Sequence, residues 1–89
     1  MKIAVFDTYV QRPDGRRMHF DILVRDQEPD KSLSVVLAHG RRYLDSKRVP
    51  SDSLRAEECR FCHTESAPPE VEAEIERIGF AIIELEHCD

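Results

Sequence analysis

The sequence predicts an α+β domain with the element order ββαβαβ, in which a single four-stranded mixed sheet carries two helices packed mainly on one face. Three observations predict this class. Two segments rich in β-branched and aromatic residues flank a Pro-Asp-Gly turn, two later segments carry apolar residues at helical spacing, and an apolar run typical of a strand follows the second of these. With 89 residues, the chain is expected to form one compact domain over residues 1–89.

The first two strands are predicted over residues 2–10 and 16–25, joined as a β-hairpin. Pro13 presets the backbone for a type I turn, Asp14 suits the second central position, and Gly15 accepts the left-handed conformation. Pairing through a three-residue loop gathers an almost wholly apolar set on one face: Ala4, Phe6, Thr8, Val10, Met18, Phe20, Ile22 and Val24. A shift of one residue would mix polar and apolar side chains on both faces, so this register is favoured.

The opposite face of the hairpin carries a polar group made of Asp7, Tyr9, His19 and Asp21. The favoured register sets Asp7 opposite Asp21 and Tyr9 opposite His19. Two carboxylates at cross-strand distance repel each other unless a proton, a cation or a basic side chain lies between them. The group is therefore a candidate ligand-binding or divalent-cation site, with a solvated polar face as the simpler alternative.

The first helix is predicted to begin with Asp30 as N-cap and to carry one apolar stripe. Gly40 interrupts the stripe at a cost of about 1 kcal/mol relative to alanine, which suggests that the helix passes close to the sheet there. The helix should end near Arg48, because Pro50 restricts the residue before it and cannot continue the helical turn.

The second half of the chain is predicted to form a strand, a helix and a final strand. The third strand covers about residues 57–65. The second helix opens at Pro68-Pro69, because the first helical turn needs no N–H from proline, and it ends at Gly79. The fourth strand follows over residues 80–85, apolar enough on both faces to be internal.

A cluster of cysteine and histidine residues is the most conspicuous candidate site. The strand–helix–strand unit is long enough for a right-handed parallel crossover, which would set the C-terminal ends of the third and fourth strands at one edge of the sheet. That edge is where ligand sites in open α/β sheets lie. It would collect Cys59, Cys62 and His63 from one strand and His87 and Cys88 from the other, a candidate zinc site.

Other interpretations of this cluster stay open. A single Cys-x-x-Cys is half a zinc signature, and in an extended strand Cys59 and Cys62 would point to opposite faces. Thiol redox chemistry is opposed by Glu57 and Glu58, whose charges would raise the pKa of the Cys59 thiol. In a structural interpretation the thiols are simply packed, and covalent haem attachment is a remote further match to Cys-x-x-Cys-His.

Charge and composition disfavour two classes of partner. The net charge of -5 disfavours a nucleic-acid partner, because neutralising phosphates needs a clustered basic patch. The nearest candidate patch is explained by favourable interaction with the end of the first helix: Arg41, Arg42, Lys47 and Arg48. No apolar run approaches the length of a membrane span, and no leader precedes Lys2, so a cytoplasmic protein with reduced thiols is expected. A chain this short gains from helix packing, a metal or a homo-oligomeric contact.

Three strings resemble a known family. They are the opening run from Lys2 to Val10, the run from Met18 to Val24, and Glu58-Cys59-Arg60-Phe61-Cys62-His63. They are similar to a small bacterial family described as domain of unknown function number two thousand and twenty-four, and the similarity runs along the whole chain. The resemblance implies a single-domain α/β protein with no assigned activity, and it carries over no catalytic residues.

The sequence thus favours a small cytoplasmic α+β binding or accessory domain, with a Cys/His cluster at a sheet edge that is a candidate for zinc. The alternative is a thiol- or metal-dependent enzyme that uses the Cys-x-x-Cys-His segment. No nucleophile–base pair, phosphate loop or oxyanion element is legible in the chain.

Overall fold

The computed structural model describes all residues from Met1 to Asp89 and has the predicted α+β architecture. Its elements are β1 (Lys2–Gln11), β2 (Arg17–Arg25), α1 (Leu33–Ser46), β3 (Cys59–Ser66), α2 (Pro69–Ile78) and β4 (Ala81–Glu86), with two single 3₁₀ turns, Ser51–Ser53 and Ala56–Glu58, between α1 and β3. The order ββαβαβ is confirmed. None of the helices has the length and apolar character needed to cross a membrane.

The β1–β2 hairpin adopts the predicted register. Asp7 pairs with Asp21 and Tyr9 with His19, because the turn closes through the hydrogen bond from the Gly15 amide to the Arg12 carbonyl at 3.0 Å. Gly15 has a φ of 91°, which a residue with a Cβ rarely adopts. The turn chemistry and the period of two along each strand therefore suffice to specify this part of the fold.

The sheet is antiparallel throughout, so the predicted mixed sheet is wrong. The strand order is β3-β1-β2-β4, and each neighbouring pair is antiparallel. The strands β3 and β4 are consequently the two edges, and they run in opposite directions. The segment through α2 does not return the chain beside β3 but carries it across to the far edge of the sheet, next to β2.

The helices lie on opposite faces of the sheet, which corrects the prediction that both cover one face. Helix α1 packs with Val36, Tyr43 and Leu44 against the even-numbered face of β1, in the larger of two cores. Helix α2 packs with Val71 and Ile75 against the other face, in a second core. The second core is completed by Ile3, Val5, Leu23 and Ala81.

The sequence of the hairpin explains the second core. One end of the hairpin is apolar on both faces. Ile3, Val5 and Leu23 alternate along the strands with the apolar residues that face α1, so they point to the opposite face. If these side chains were left exposed to water, each would lose roughly 1.5–3 kcal/mol of stabilisation by burial. Helix α2 covers them, and it leaves the other half of the same face, where Asp7 and His19 lie, uncovered.

The ends of the helices differ slightly from the prediction. Helix α1 begins after Ser32, which occupies the N-cap position, so Asp30 is not its N-cap. Helix α2 has a proline in its first turn and ends at Gly79 with a φ of 94°, as predicted. Gly40 does mark a close approach: a Cβ there would lie 2.9 Å from Leu54 Cδ2 and 3.2 Å from Ile22 Cδ1.

Candidate functional site

The Cys/His residues do not meet at one edge of the sheet. Cys59, Cys62 and His63 belong to β3, whereas His87 and Cys88 follow β4 at the opposite edge. Strands are spaced about 4.8 Å apart, so the two edge strands lie roughly 14 Å from each other. The predicted common site is wrong because the crossover that would have brought the two groups together is not parallel.

A β-bulge also separates the ligands within β3. His63 pairs with Val5 and Phe61 pairs with Phe6, so Cys62 is an extra residue without a partner on β1. The bulge moves His63 to the face covered by α2, whereas Cys59 and Phe61 lie on the face covered by α1. Regular alternation along β3 would have placed Cys59, Phe61 and His63 on one face, and the bulge removes His63 from that face.

The cysteine and histidine side chains of β3 have separate environments and different contacts. Cys59 is only 3% exposed, and its Sγ accepts a hydrogen bond from Thr8 Oγ1 at 3.4 Å. Burial raises the pKa of the Cys59 thiol. Cys62 is exposed, and the His63 ring bonds to Glu65 Oε1 at 2.8 Å. All three cysteines of the chain are free thiols.

The C-terminal pair is held by the hairpin. Cys88 is buried in the α1 core, and its Sγ donates to the carbonyl oxygen of His19 at 3.4 Å. The backbone carbonyl of His87 accepts a hydrogen bond from Arg12 Nη1 at 2.7 Å, while its side chain is exposed. Neither residue belongs to the one group of three close ligand atoms in the chain, which is made of Asp7, His19 and Asp21.

The second predicted group does assemble. One ligand atom each from Asp7, His19 and Asp21 lies within 4.8 Å of the others, on the half of the sheet that α2 leaves uncovered. His19 Nε2 and Asp7 Oδ1 are joined by a hydrogen bond. All three residues are partly buried, so their polar atoms lie at the surface of the sheet with restricted access to water.

A stack of planar side chains orients the histidine. The Tyr9 ring lies parallel to the His19 ring, with 4.2 Å between the ring centroids and 10° between the planes. On its other side Tyr9 carries the Arg17 guanidinium, whose Cζ lies 4.1 Å from the ring centroid. Tyr9 therefore fixes the plane of the imidazole, although its own hydroxyl makes no hydrogen bond to the group.

The two carboxylates raise the electrostatic cost of the site. Burial raises the pKa of the Asp21 carboxyl, and the negative charge of Asp7 raises it further. The charges of His19 and His63 oppose this effect in part. Because this arrangement raises the pKa of a carboxyl group, it favours a cation or a proton between the carboxylate oxygens of Asp7 and Asp21.

Three charged residues border the group and were not identified from the sequence. Arg17, Glu58 and Arg60 line a cavity of about 310 Å³ together with Asp7 and Tyr9. Arg17 Nη2 donates to Glu58 Oε2 at 2.8 Å. The proximity of Arg60 depends on the pairing of β3 with β1, which places Arg60 directly opposite Asp7. Only knowledge of that long-range register could have revealed it.

Comparisons with known proteins agree with this fold. The model of the family described as domain of unknown function (DUF2024) matches residues 1–85. The NMR structure of protein NE1680 from Nitrosomonas europaea is 39% identical, covers 100% of both chains and has a TM-score of 0.80. No curated protein matches the chain. The chain belongs to the DUF2024 family.

Proposed function

We propose that this protein is a small binding domain that holds a divalent cation, zinc, between Asp7, His19 and Asp21. The observation that carries the proposal is the convergence of two carboxylates and one imidazole to within 4.8 Å on an uncovered part of the sheet. Carboxylate oxygens and imidazole nitrogens are both ordinary zinc ligands. A cation would also offset the two causes that raise the pKa of Asp21, its burial and the negative charge of Asp7.

The ion would take the place of the hydrogen bond between His19 and Asp7. Zinc bonds of about 2.0 Å in a tetrahedral arrangement separate neighbouring ligand atoms by roughly 3.3 Å. His19 Nε2 and Asp7 Oδ1 now bond directly to each other, so they would move apart to that spacing, with Asp21 as the third ligand, through rotation of side chains that are only partly buried. Three protein ligands leave a fourth position for water or another ligand, which is the arrangement of zinc sites that bind exogenous molecules.

The surroundings of His19 suit a role as a metal ligand. The parallel Tyr9 ring holds the imidazole plane, and the hydrogen bond to Asp7 turns Nε2 toward the carboxylates. A ring held in this orientation loses less conformational entropy on binding an ion than a freely rotating ring would. Replacing the shared hydrogen bond by a cation keeps the same three groups in place.

The properties of the cysteine thiols also favour the Asp7–His19–Asp21 group as the metal site. Cys59 is buried and has a raised thiol pKa, which disfavours both redox chemistry and metal binding at that residue. Three unpaired cysteines are consistent with a reducing compartment such as the bacterial cytoplasm. We therefore assign the metal to the Asp7–His19–Asp21 group and not to the Cys-x-x-Cys-His segment.

Isothermal titration calorimetry of metal-free protein with zinc tests this assignment. Wild-type protein should bind one zinc per chain, and His19→Gln and Asp21→Asn should each weaken binding by about tenfold or more. Asp45→Asn is the matched control, because Asp45 is exposed on α1 and makes no ion pair. Cys62→Ser should bind zinc as the wild type does.

Two outcomes would reject the proposal. The first is equal zinc affinity in the wild type and in the Asp21→Asn variant. The second is loss of zinc in Cys62→Ser, which would return the metal to the cysteine segment. Circular dichroism of each variant verifies that the fold is retained.

A further inference from the structure

A row of charged side chains crosses the sheet beside the proposed cation site. Arg60 on β3 lies directly opposite Asp7 on β1, and Asp7 lies directly opposite Asp21 on β2. Residues that are directly opposite share a face and have Cα atoms about 5 Å apart. Arg60 is thus the nearest basic residue to Asp7 along this row, on the side away from Asp21.

Arg60 makes no ion pair with Asp7 despite this position. Its Nε donates to the backbone carbonyl of Glu57 at 2.9 Å, and none of its nitrogens lies within 4.0 Å of a carboxylate oxygen. A guanidinium has five N–H donors, so the outer nitrogens of Arg60 retain donors for a ligand. The Glu57 carbonyl anchors the side chain and leaves the fork of the guanidinium exposed.

Unlike Arg60, Arg17 makes an ion pair with a carboxylate. Its guanidinium is stacked on Tyr9 and paired with Glu58, so its charge is already compensated. The cavity between Arg17 and Arg60 measures about 310 Å³, and Asp7 lies in its lining. A small molecule bound there would contact Arg60 at one end and the cation held by Asp7 at the other.

The charges of the site specify the sign of that molecule. A divalent cation balances the carboxylates of Asp7 and Asp21, and Arg17 balances Glu58. Arg60 then remains as an uncompensated positive charge at the border of the cavity. An anionic ligand would offset this positive charge.

We propose that the cavity between Arg17 and Arg60 binds a small oxyanion, whose oxygens pair with the Arg60 guanidinium and fill the open position on the cation. This inference rests on the proposed cation site. The ligand class is defined by the geometry of the guanidinium, which pairs with carboxylates and phosphates through two parallel hydrogen bonds. A donor oxygen next to the anionic group would reach the cation.

Glycolate and methyl phosphate are suitable probes, because one is a carboxylate with a neighbouring hydroxyl and the other is a phosphate. Each is titrated into protein carrying one equivalent of zinc, and ¹H–¹⁵N spectra follow the backbone amide of Arg60 and its Nε–H. We expect saturable shifts at both groups. Tighter binding of glycolate would assign a carboxylate ligand, and tighter binding of methyl phosphate a phosphate ligand.

The Arg60→Gln variant tests the role of the guanidinium. It should bind zinc like the wild type but bind the preferred anion about tenfold more weakly, the loss expected for one charge-assisted pair. Arg77→Gln is the matched control, because Arg77 is exposed on α2 and pairs only with Glu74. This variant should retain wild-type affinity for the anion.

The failure of this inference is separable from failure of the cation site. Absence of zinc binding in the wild type would overturn the proposed function itself. Zinc binding with equal anion affinity in the wild type and Arg60→Gln would overturn only the anion site. Anion affinity that is the same without zinc would overturn the link between the anion and the cation.

Discussion

Asp7 and Asp21 lie directly opposite each other on β1 and β2, and His19 bonds to Asp7 within the same group. Such a carboxylate pair disfavours the metal-free fold, because like charges at directly opposite strand positions repel. The hairpin tolerates the pair, since its stability comes from apolar residues on the other face. Local costs of this kind are expected at functional sites.

The pair should therefore affect the stability of the metal-free protein. Asp21→Asn removes one of the two charges, so it should increase the free energy of unfolding at neutral pH by about 0.5 kcal/mol. Urea unfolding followed by circular dichroism measures the change. Asp45→Asn, on the exposed surface of α1, should leave the free energy of unfolding unchanged. A clear loss of stability in Asp21→Asn would show that the carboxylate is compensated by a neighbour.

Zinc should stabilise the wild type but not the Asp21→Asn variant. At a free zinc concentration 100 times the dissociation constant, a ligand that binds only the folded state adds about 2.7 kcal/mol to the free energy of unfolding. The same zinc concentration should have a much smaller effect on Asp21→Asn. Urea unfolding with and without zinc provides the measurement. Equal stabilisation of both proteins would contradict the assignment of Asp21 as a ligand.

The effect of Asp21 should depend on pH in a defined direction. Its folded-state pKa is raised by burial and by Asp7, so the folded protein binds this proton more tightly than the unfolded chain does. The stabilising contribution is complete below the ordinary aspartate pKa of about 3.9 and is lost as the pH rises through the raised value. The stability gained by Asp21→Asn should thus grow from pH 4 to pH 7.

Urea unfolding of the wild type and the variant over this pH range tests the direction. Titrating groups far from Asp21 cancel in the difference between the two free energies of unfolding, so the difference reports Asp21 together with Asp7 and His19, which interact with it. A difference that shrinks as the pH rises would contradict a raised pKa at Asp21.

The three cysteines should differ in reactivity. Cys62 is exposed in the β-bulge of β3, whereas Cys59 and Cys88 are buried, and burial raises the pKa of Cys59. Iodoacetamide at pH 8 should modify Cys62 at least about tenfold faster than the other two, because the exposed thiolate is the reactive form. Mass spectrometry of proteolytic fragments gives the three rates. If Cys59 reacted as fast as Cys62, the thiol-based alternative would regain support.

The contact between α1 and the sheet should be sensitive to volume at Gly40. Gly40→Val adds a branched side chain where a single Cβ already lies 2.9 Å from Leu54 Cδ2, so we expect a loss of about 2 kcal/mol of stability. Ala38→Val, on the exposed side of the same helix, is the control and should cost no more than about 0.5 kcal/mol. Thermal or urea unfolding compares the two variants, and equal costs would contradict close packing at Gly40.

The sequence by itself predicted the features that depend on residues close together in the chain, namely the hairpin register and the ends of α2. The turn at Gly15 and the alternation along β1 and β2 determine the hairpin register, and that register alone places Asp7 opposite Asp21 and Tyr9 opposite His19. Proline at the start and glycine at the end mark α2 in the same way. These signals act within a few residues, where backbone sterics and strand periodicity leave few alternatives.

Only the tertiary structure decided which distant segments meet. The chain returned β3 to the outer side of β1 and β4 to the outer side of β2, so the cysteine and histidine residues separated while Arg60 came to lie beside Asp7. The bulge at Cys62 then reversed the face of His63. Strand order, bulges and the choice of helix face depend on burying apolar surface across the whole domain, and no local pattern in the sequence carries that information.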